Sequence, residues 1–301
     1  MVCYWWVMSE LLTEHYGFRV IYSDDNFIAV NKTLPLPMLP GKNSKTSLQD
    51  LVCNFEAGIR KKPSEESNEI TCKGSQNIQY NSASKIITNT AFFLEAPHRI
   101  DERTSGIALF CKTRESLIIT NYLFQLSLVQ KKYYALVETA RAPQGDSGIV
   151  RHRLYHDERA NKTFAKPVNS SERRNNAELA WRVHAVCDDF TLLEIEPRQG
   201  KTHQIRAQLA AIGSPIIGDI KYGSHYKTTS GFIMLHARFM CFPSIKSDEE
   251  FTKLTTFMNK QTKLIKTITN TLLTNPITLQ APFPIGEPLW NNFNTTITDG
   301  A

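Results

Sequence analysis

Short runs of apolar residues, broken by polar turns, recur along this chain and predict more strands than helices. The runs 18–22 and 27–31 flank a Ser-Asp-Asp-Asn turn and therefore predict a β-hairpin. A second hairpin is predicted for 177–186 and 190–196, around the turn Cys-Asp-Asp. Further strands are predicted at 106–111, 131–138 and 233–242.

Three segments carry helix signals. Thr113 can cap a helix that runs to about residue 129, and 201–212 predicts a helix closed by a glycine and a proline. A capping box at Ser247 opens a predicted amphipathic helix over about 247–275. Because hairpins outnumber strand-helix-strand alternations, we expect an α+β fold with a largely antiparallel mixed sheet flanked by helices.

Four segments lack hydrophobic periodicity and predict irregular structure. The proline-rich segment 34–41 predicts an arm, and 141–148 predicts a turn. The polar segment 58–90 predicts an excursion from the fold, and the basic segment 159–176 predicts a loop.

Composition narrows the class of protein. The chain has 301 residues, with 41% hydrophobic and 21% charged residues, which is typical of a globular protein. Its net charge of +6 fits a protein that meets an anionic polymer, although many other enzymes are as basic. None of the six cysteines forms a Cys-x-x-Cys pair or has a histidine at zinc-ligand spacing, so we expect a reducing compartment and no metal. The even number of cysteines leaves disulfides open as an alternative.

The first residues do not look like a targeting signal. The opening apolar run is eight residues long, lacks a basic leader and is soon followed by Glu10 and Glu14. It is too short to span a membrane and does not match a signal peptide. We therefore expect a cytoplasmic protein that has no membrane partner.

The strongest candidate for chemistry is the segment 98–106, His-Arg-Ile-Asp-Glu-Arg-Thr-Ser-Gly. It places the carboxylate of Asp101 in a loop that leads into a buried strand, a common position for functional residues. The same residues also suit a simple turn, because Asp, Thr and Ser side chains bond to nearby backbone amides.

Two distant segments could supply partners for that carboxylate. In the predicted helix 201–212, His203 and Arg206 lie three residues apart and share a face, opposite the apolar residues. An arginine there offers a cation to a carboxylate or a phosphate, although a solvated basic face explains the pattern as well. In the strand 131–138, Tyr133 could pack in the core, stack on a base or exchange a proton.

Taken together, these segments resemble the RluA-type RNA pseudouridine synthases, in the family's order, over about residues 18–243. A weaker similarity continues through 277–290. The matching motifs are Asn31-Lys32-Thr33-Leu34-Pro35, the segment 98–106, the strand with Tyr133, the block 198–223 and Met234-Leu-His-Ala237. The resemblance implies the pseudouridine synthase catalytic fold over 18–301, preceded by an extension at 1–17 with no auxiliary RNA-binding domain.

The resemblance also implies an activity and its requirements. Such an enzyme isomerises specific uridines of ribosomal or transfer RNA to pseudouridine, without a small-molecule cofactor or a metal. We expect RNA as the partner and a monomeric protein. A uridine in folded RNA must be flipped out of its stack before it can react.

Residue roles follow from the same resemblance. Asp101 falls on the catalytic aspartate, Arg206 on the basic residue that pairs with it, and Tyr133 on the tyrosine that stacks on uracil. Arg99 falls on the arginine that replaces the flipped base, and Leu235 on an apolar residue of the pocket. Further RNA contacts are expected from three residues: Arg103, Lys201 and His203.

The chain departs from the family pattern at several positions. Glu102 follows the aspartate where relatives carry a basic residue, Lys201 replaces an arginine, and Thr33 replaces a proline. Arg103 and Lys201 keep positive charge nearby, so we expect activity with altered local RNA contacts.

Two other functions compete with this one. A catalytically silent RNA-binding protein of the same fold would keep the basic surface and lack turnover. A hydrolase could instead use His98, Asp101 and His203 around a metal, although the chain offers no third cluster with metal-ligand spacing.

Overall fold

The computed structural model describes residues 17–41, 46–60, 93–168, 176–243, 276–284 and 287–293, and most of them belong to one mixed sheet. Its ten strands within these ranges are β1 (Phe18–Ser23), β2 (Phe27–Lys32), β3 (Ser105–Cys111), β4 (Gln130–Glu138), β5 (Ser147–Asp157), β6 (Lys162–Pro167), β7 (Ala177–Cys187), β8 (Phe190–Pro197), β9 (Leu235–Phe242) and β10 (Ile277–Gln280). The strand order is β1-β2-β3-β9-β4-β8-β7-β5-β6, and β10 pairs with β9.

The helices of the described residues are short. They are α1 (Leu48–Arg60), α2 (Arg114–Gln125), α3 (Gln204–Ala211) and α4 (Pro288–Asn291), with 3-10 turns at Thr139–Arg141 and Ile220–Tyr222. The Thr113 side chain caps α2 by accepting from the backbone N–H of Ser116 at 3.1 Å, as the sequence predicts. None of these helices is long and apolar enough to cross a membrane.

The strand pairing confirms the predicted fold class. Both predicted hairpins form, β1 with β2 and β7 with β8, and both are antiparallel. Strands β3 and β9 pair in parallel through Ser105–His236 and Gly106–Ala237. The sheet is therefore mixed and largely antiparallel, in an α+β arrangement.

Three predicted boundaries are wrong. The segment 159–176 is not all loop, because β6 pairs with β5 from Lys162 to Pro167. The helix predicted from 201 begins only at Gln204, because His203 has a φ of +52°, in the left-handed region that interrupts a right-handed helix. The helix predicted to reach residue 129 ends at Gln125, since the chain then turns into β4.

Helix α1 was not predicted, although its start carries a clear signal. Ser47 and Asp50 form reciprocal capping bonds, with Ser47 N–H donating to Asp50 Oδ2 at 2.9 Å and Asp50 N–H donating to Ser47 Oγ at 3.2 Å. Leu48, Val52 and Phe55 are buried at helical spacing. The predicted excursion therefore starts after α1, and its remaining part, 61–90, lies outside the described residues.

Two other predictions also fall outside the described residues. They are the extension at 1–17, apart from Gly17, and the helix at about 247–275, which lies within the range 244–275 that the structure does not describe.

Strand β3 places the candidate site. All seven of its residues are buried, and its first two pair with β9. Gly106 has a φ of +105°, and a Cβ there would lie 2.3 Å from the backbone oxygen of Ala237, so no larger residue fits. This close approach holds the loop that contains Asp101 against the start of β9, where Leu235 lies.

Candidate active site

One pocket beside the start of β3 gathers most of the predicted site residues. They are Arg99, Asp101, Tyr133, Lys201, His203, Arg206 and Leu235. Arg103 does not line this pocket, because its Nε donates to the carbonyl oxygen of Gly231 at 2.7 Å. The structure thus brings together residues from four separate parts of the chain.

The loop before β3 lines the pocket and is held in its conformation by hydrogen bonds. The Thr104 N–H donates to the carbonyl oxygen of Asp101 at 3.0 Å, which closes the turn. The Ser105 Oγ lies 2.9 Å from His236 Nδ1, and both residues are buried. These bonds leave the Asp101 side chain facing the pocket on a fixed backbone.

A buried lysine supports this loop from the neighbouring strand. Lys32, at the end of β2, is fully buried and donates from Nζ to the carbonyl oxygens of Glu102, Leu36 and Leu34 at 2.5, 3.2 and 3.3 Å. Burial lowers the pKa of Lys32 to about 7, against the opposing charges of Asp101 and Glu102. Lys32 therefore ties the proline-containing arm to the loop of Asp101.

Arg206 holds two carboxylates at the base of the pocket. Its Nη1 donates to Asp101 Oδ2 at 3.1 Å, while Nε and Nη2 donate to Asp219 Oδ2 and Oδ1 at 2.7 and 2.9 Å. Burial opposes the charge of Arg206, but the bonds and charge of Asp219, with the charge of Asp101, raise its pKa above the ordinary value. Arg206 is thus a permanent cation, and the alternative of a solvated basic face does not apply to it.

His203 completes this polar wall. Its Nδ1 lies 3.0 Å from the Tyr222 hydroxyl, and its Nε2 lies 3.9 Å from Asp101 Oδ2. Burial, with the cations Arg206 and Lys221, outweighs the charge of Asp101 and lowers the pKa of His203. The imidazole is therefore neutral at pH 7, and its left-handed backbone turns it toward Asp101.

The opposite wall is aromatic and apolar. Tyr133 on β4 and Leu235 on β9 both line the pocket. Burial, and secondarily the charge of Asp101, raises the pKa of Tyr133 above its ordinary value, so the phenol stays protonated at neutral pH. One extra residue of β9, Arg238, forms a bulge between the pairs Lys132–Phe239 and Tyr133–Ala237.

Cations line the mouth of the pocket. Arg99 and Lys201 are exposed, and Lys131 extends along the same wall with Nζ 3.4 Å from the carbonyl oxygen of Gln199. Burial lowers the pKa of Lys131. The mouth is thus positive, and the base holds the ion pair of Asp101 and Arg206.

Sequence reasoning missed several residues of the site. Thr104 lines the pocket, and its buried hydroxyl has no hydrogen-bond partner among the described residues. Asp219 and Tyr222 were noted only as part of a turn, and Lys32 only as part of the arm. All four of these residues lie within the matching motifs, and that position was the signal that could have identified them. Their contacts could not be predicted from the sequence.

The metal-hydrolase alternative loses one of its three ligands. His98 Nε2 accepts from the backbone N–H of Leu109 at 3.0 Å, and its ring stacks on Phe124 with centroids 5.4 Å apart. Burial lowers the pKa of His98 to about 3. Within the described ranges, no group of three or more His, Cys, Asp or Glu side chains could hold a metal ion.

The chain is similar to known proteins of one family. The family model described as RNA pseudouridylate synthase matches residues 28–211, which include Asp101, Tyr133 and Arg206. The ribosomal large subunit pseudouridine synthase C of Rickettsia bellii is 27% identical over 235 residues, which cover 76% of this chain and 64% of that protein. The enzyme of the same name from Vibrio cholerae is 36% identical over 137 residues, 44% of this chain and 40% of that protein.

Solved structures agree on the fold. Human RNA pseudouridylate synthase domain containing 4 superposes with a TM-score of 0.57 at 18% identity, covering 99% of this chain and 98% of that one. Human RNA pseudouridylate synthase domain containing 1 gives a TM-score of 0.52 at 19% identity, covering 77% and 81%. The chain spans a little less than two thirds of the length of the rickettsial relative.

Proposed function

We propose that this chain, which belongs to the RNA pseudouridylate synthase family, isomerises uridine in ribosomal RNA to pseudouridine. The observation that carries the proposal is the pocket in which Asp101 lies 3.1 Å from Arg206, beside the ring of Tyr133. The printed names of the bacterial relatives favour ribosomal RNA as the substrate. Transfer RNA is the alternative substrate.

Asp101 supplies the carboxylate that the reaction needs. The bond between ribose C1′ and uracil N1 breaks, the base rotates, and uracil C5 bonds to C1′ before it loses its proton. The same carboxylate can serve two routes, attack on C1′ or removal of a ribose proton. The Arg206 cation favours its ionised form and fixes its direction.

The other residues hold the detached base and the RNA. The Tyr133 ring stacks on uracil, since a phenol that stays protonated at neutral pH is a poor base, and Leu235 covers the ring from its side. The unpartnered hydroxyl of Thr104 offers a hydrogen bond to the base or the ribose.

At the mouth of the pocket, Arg99 occupies the space that the flipped nucleotide leaves, at a site where flipping costs a few kcal/mol. Lys201 contacts phosphate, and the neutral His203 bonds to ribose or phosphate oxygen. Arg103, held by Gly231, supports the loop instead of the substrate.

The test is release of tritium from RNA labelled at C5 of uridine, with in vitro transcripts of ribosomal and transfer RNA as separate substrates. Wild type should release tritium, and Asp101→Asn should be slower by about 10³-fold or more, since it removes the reacting carboxylate. Glu102→Gln is the matched control, because Glu102 is the adjacent carboxylate, is exposed and does not line the pocket.

Each outcome assigns a function. Release by wild type and Glu102→Gln, with loss in Asp101→Asn and no effect of a chelator, establishes the synthase. No release from either transcript, on RNA that the protein binds, assigns the silent RNA-binding function. Equal release by Asp101→Asn and wild type would contradict the role of Asp101.

A further inference from the structure

The outer face of the hairpin β5–β6 exposes two aromatic rings. Tyr155 is 45% exposed and Phe164 is 47% exposed, whereas most large hydrophobic residues of the described ranges are buried. The two residues are direct partners across the antiparallel pair, so their rings stand side by side on one face. Exposed apolar side chains that adjoin one another, unlike ones scattered singly, are typical of a binding surface.

Cations surround these rings on the same face. The alternation of strand residues places Arg153 and Lys166, which are partners in the register, beside the rings, and Lys162 lies on their other side. Lys166 Nζ lies 5.2 Å from the Tyr155 ring centroid, and Lys162 Nζ lies 5.6 Å from that of Phe164. We call these five residues, Arg153, Tyr155, Lys162, Phe164 and Lys166, the hairpin platform.

Among the described residues of this face, the acidic residue beside the rings is engaged locally. Asp157 pairs with Lys162 in the register, and its Oδ1 accepts from the backbone N–H groups of Arg159 and Ala160 at 2.9 and 3.1 Å. The hairpin platform therefore has a positive charge that is suited to phosphate.

The inner face fixes the hairpin to the wall of the active site. The Thr163 N–H donates to the Tyr222 hydroxyl at 2.8 Å, and the Thr163 hydroxyl donates to the carbonyl oxygen of Thr202 at 2.8 Å. Buried His152 faces Gln208 of α3, with Nδ1 and Nε2 3.4 Å apart. The hairpin platform thus has a fixed position relative to the pocket.

Tyr222 links the two sites. Lys162 Nζ lies 5.2 Å from the Tyr222 ring centroid, and Arg206 Cζ lies 4.9 Å from the same centroid. Arg206 in turn contacts Asp101 at 3.1 Å. The hairpin platform and the pocket are therefore joined through the buried Tyr222 ring.

We propose that the hairpin platform binds the single-stranded RNA next to the target uridine. Bases stack on Tyr155 and Phe164, and the adjoining phosphates contact Lys162, Lys166 and Arg153. This inference rests on the proposed function for the identity of the target. Single-stranded RNA fits because only unpaired bases offer their faces to aromatic side chains, whereas an apolar protein partner does not need interleaved cations.

The first test measures binding of a fluorescein-labelled, mixed-sequence single-stranded RNA by anisotropy. Tyr155→Thr combined with Phe164→Thr removes the rings and keeps residues that favour strands, so the fold should persist. We expect a Kd at least about 10-fold higher than that of wild type. Val186→Thr is the matched control, because Val186 is 59% exposed on β7 and lies off the hairpin platform, and its Kd should equal that of wild type.

A second pair of variants tests the phosphate contacts independently of the rings. Lys162→Gln combined with Lys166→Gln should make the negative slope of log K against log salt less steep by about 1.4, since each phosphate contact to a single strand contributes about −0.7. Circular dichroism and thermal unfolding check that each protein is folded.

The outcomes separate this inference from the proposed function. If wild type releases tritium from labelled RNA but the ring variant binds and reacts like wild type, the hairpin platform is overturned and the function stands. If no protein releases tritium but the ring variant still loses binding, the hairpin platform stands without the synthase. If the ring variant changes only the oligomeric state of the protein, the face is a contact between copies and the inference is overturned.

Discussion

Two clusters of charged side chains lie on opposite faces of β4, and the signs of their charges are arranged in opposite ways. Tyr133 lies with the cluster in the pocket, where one cation, Arg206, holds two carboxylates. Its neighbour Lys132 points the other way, as strand geometry requires, and joins a cluster in which Glu194 holds two cations, Lys132 and Arg182. Lys132 also contacts the more exposed Glu196 at 3.3 Å.

The clusters also differ in their access to water. In the pocket cluster the side chains of Arg206, Asp219 and Asp101 are 7%, 0% and 17% exposed. In the opposite cluster Glu194 is 10% exposed, but its partners Lys132 and Arg182 are 28% and 60% exposed. Losing one partner of the first cluster would therefore leave a buried charge unpaired and destabilise the fold. In the second cluster the cations can turn to solvent instead.

Removing the central charge of each cluster should show the largest difference. Arg206→Met leaves the fully buried Asp219 without its cation, and we expect a loss of about 3–5 kcal/mol in the free energy of unfolding. Glu194→Gln leaves two cations that reach water, and we expect a loss of about 1 kcal/mol or less. Denaturant unfolding of both variants measures the two values.

A double variant checks the cause of the larger loss. Adding Asp219→Asn to Arg206→Met removes the unpaired buried charge and should recover part of the stability. Equal losses for Arg206→Met and Glu194→Gln would show that the two clusters do not differ in the way that their exposure indicates.

A smaller effect concerns the direction of Arg206. Asp219→Asn weakens the two bonds that orient the guanidinium, and a displaced Arg206 misplaces Asp101, so we expect single-turnover isomerisation to slow by about 10²-fold. RNA affinity, measured by filter binding, should stay within about twofold of wild type, since Asp219 does not line the pocket. A large loss of affinity with an unchanged single-turnover rate would contradict this positioning role.

The smallest expected effect is on the pKa values of two histidines, each of which should respond to a different substitution. Burial lowers the pKa of both His203 and His184, and a nearby carboxylate opposes the shift, Asp101 for His203 and Glu194 for His184. A negative charge favours the imidazolium, so removing it should lower the pKa further. Asp101→Asn should therefore lower the titration midpoint of His203 alone, and Glu194→Gln that of His184 alone.

Nuclear magnetic resonance titration of the two imidazoles measures these midpoints, which in wild type should both lie below 6.5. Because the folded forms then bind fewer protons than the unfolded chain below pH 6.5, both groups lower the stability of the fold as pH falls. A shift of both histidines in either variant would mean that the two clusters are coupled through β4.

How far sequence analysis reached differs between parts of the fold. Strands β1, β2, β7 and β8 were readable because apolar residues alternate over a polar turn, and they form as predicted. Strand β6 was not predicted, because its polar and apolar residues lie on the opposite faces from the usual ones. Its inner face carries Thr163 and Ala165, and its outer face carries Phe164, so the usual rule of apolar residues inside identifies a loop.

The candidate site shows the same division. The motifs located Asp101, Arg206 and Tyr133, which the structure brings to one pocket, and their catalytic roles remain proposals. The bidentate bond of Asp219 to Arg206 was not visible, because nothing in the spacing of two residues shows which carboxylate an arginine faces. Arg103 was placed near substrate because it lies two residues after Asp101, but its side chain turns to Gly231.

The sequence by itself determined the α+β class, the main hairpins, the family and the segments that carry chemistry, since these depend on local periodicity and on motif order. Only the tertiary structure decided which charges are buried together, how Lys32 supports the loop of Asp101, and that an aromatic hairpin stands beside the pocket. The physical reason is that burial and ion pairing depend on contacts between residues about 70 to 130 positions apart, which no local pattern encodes.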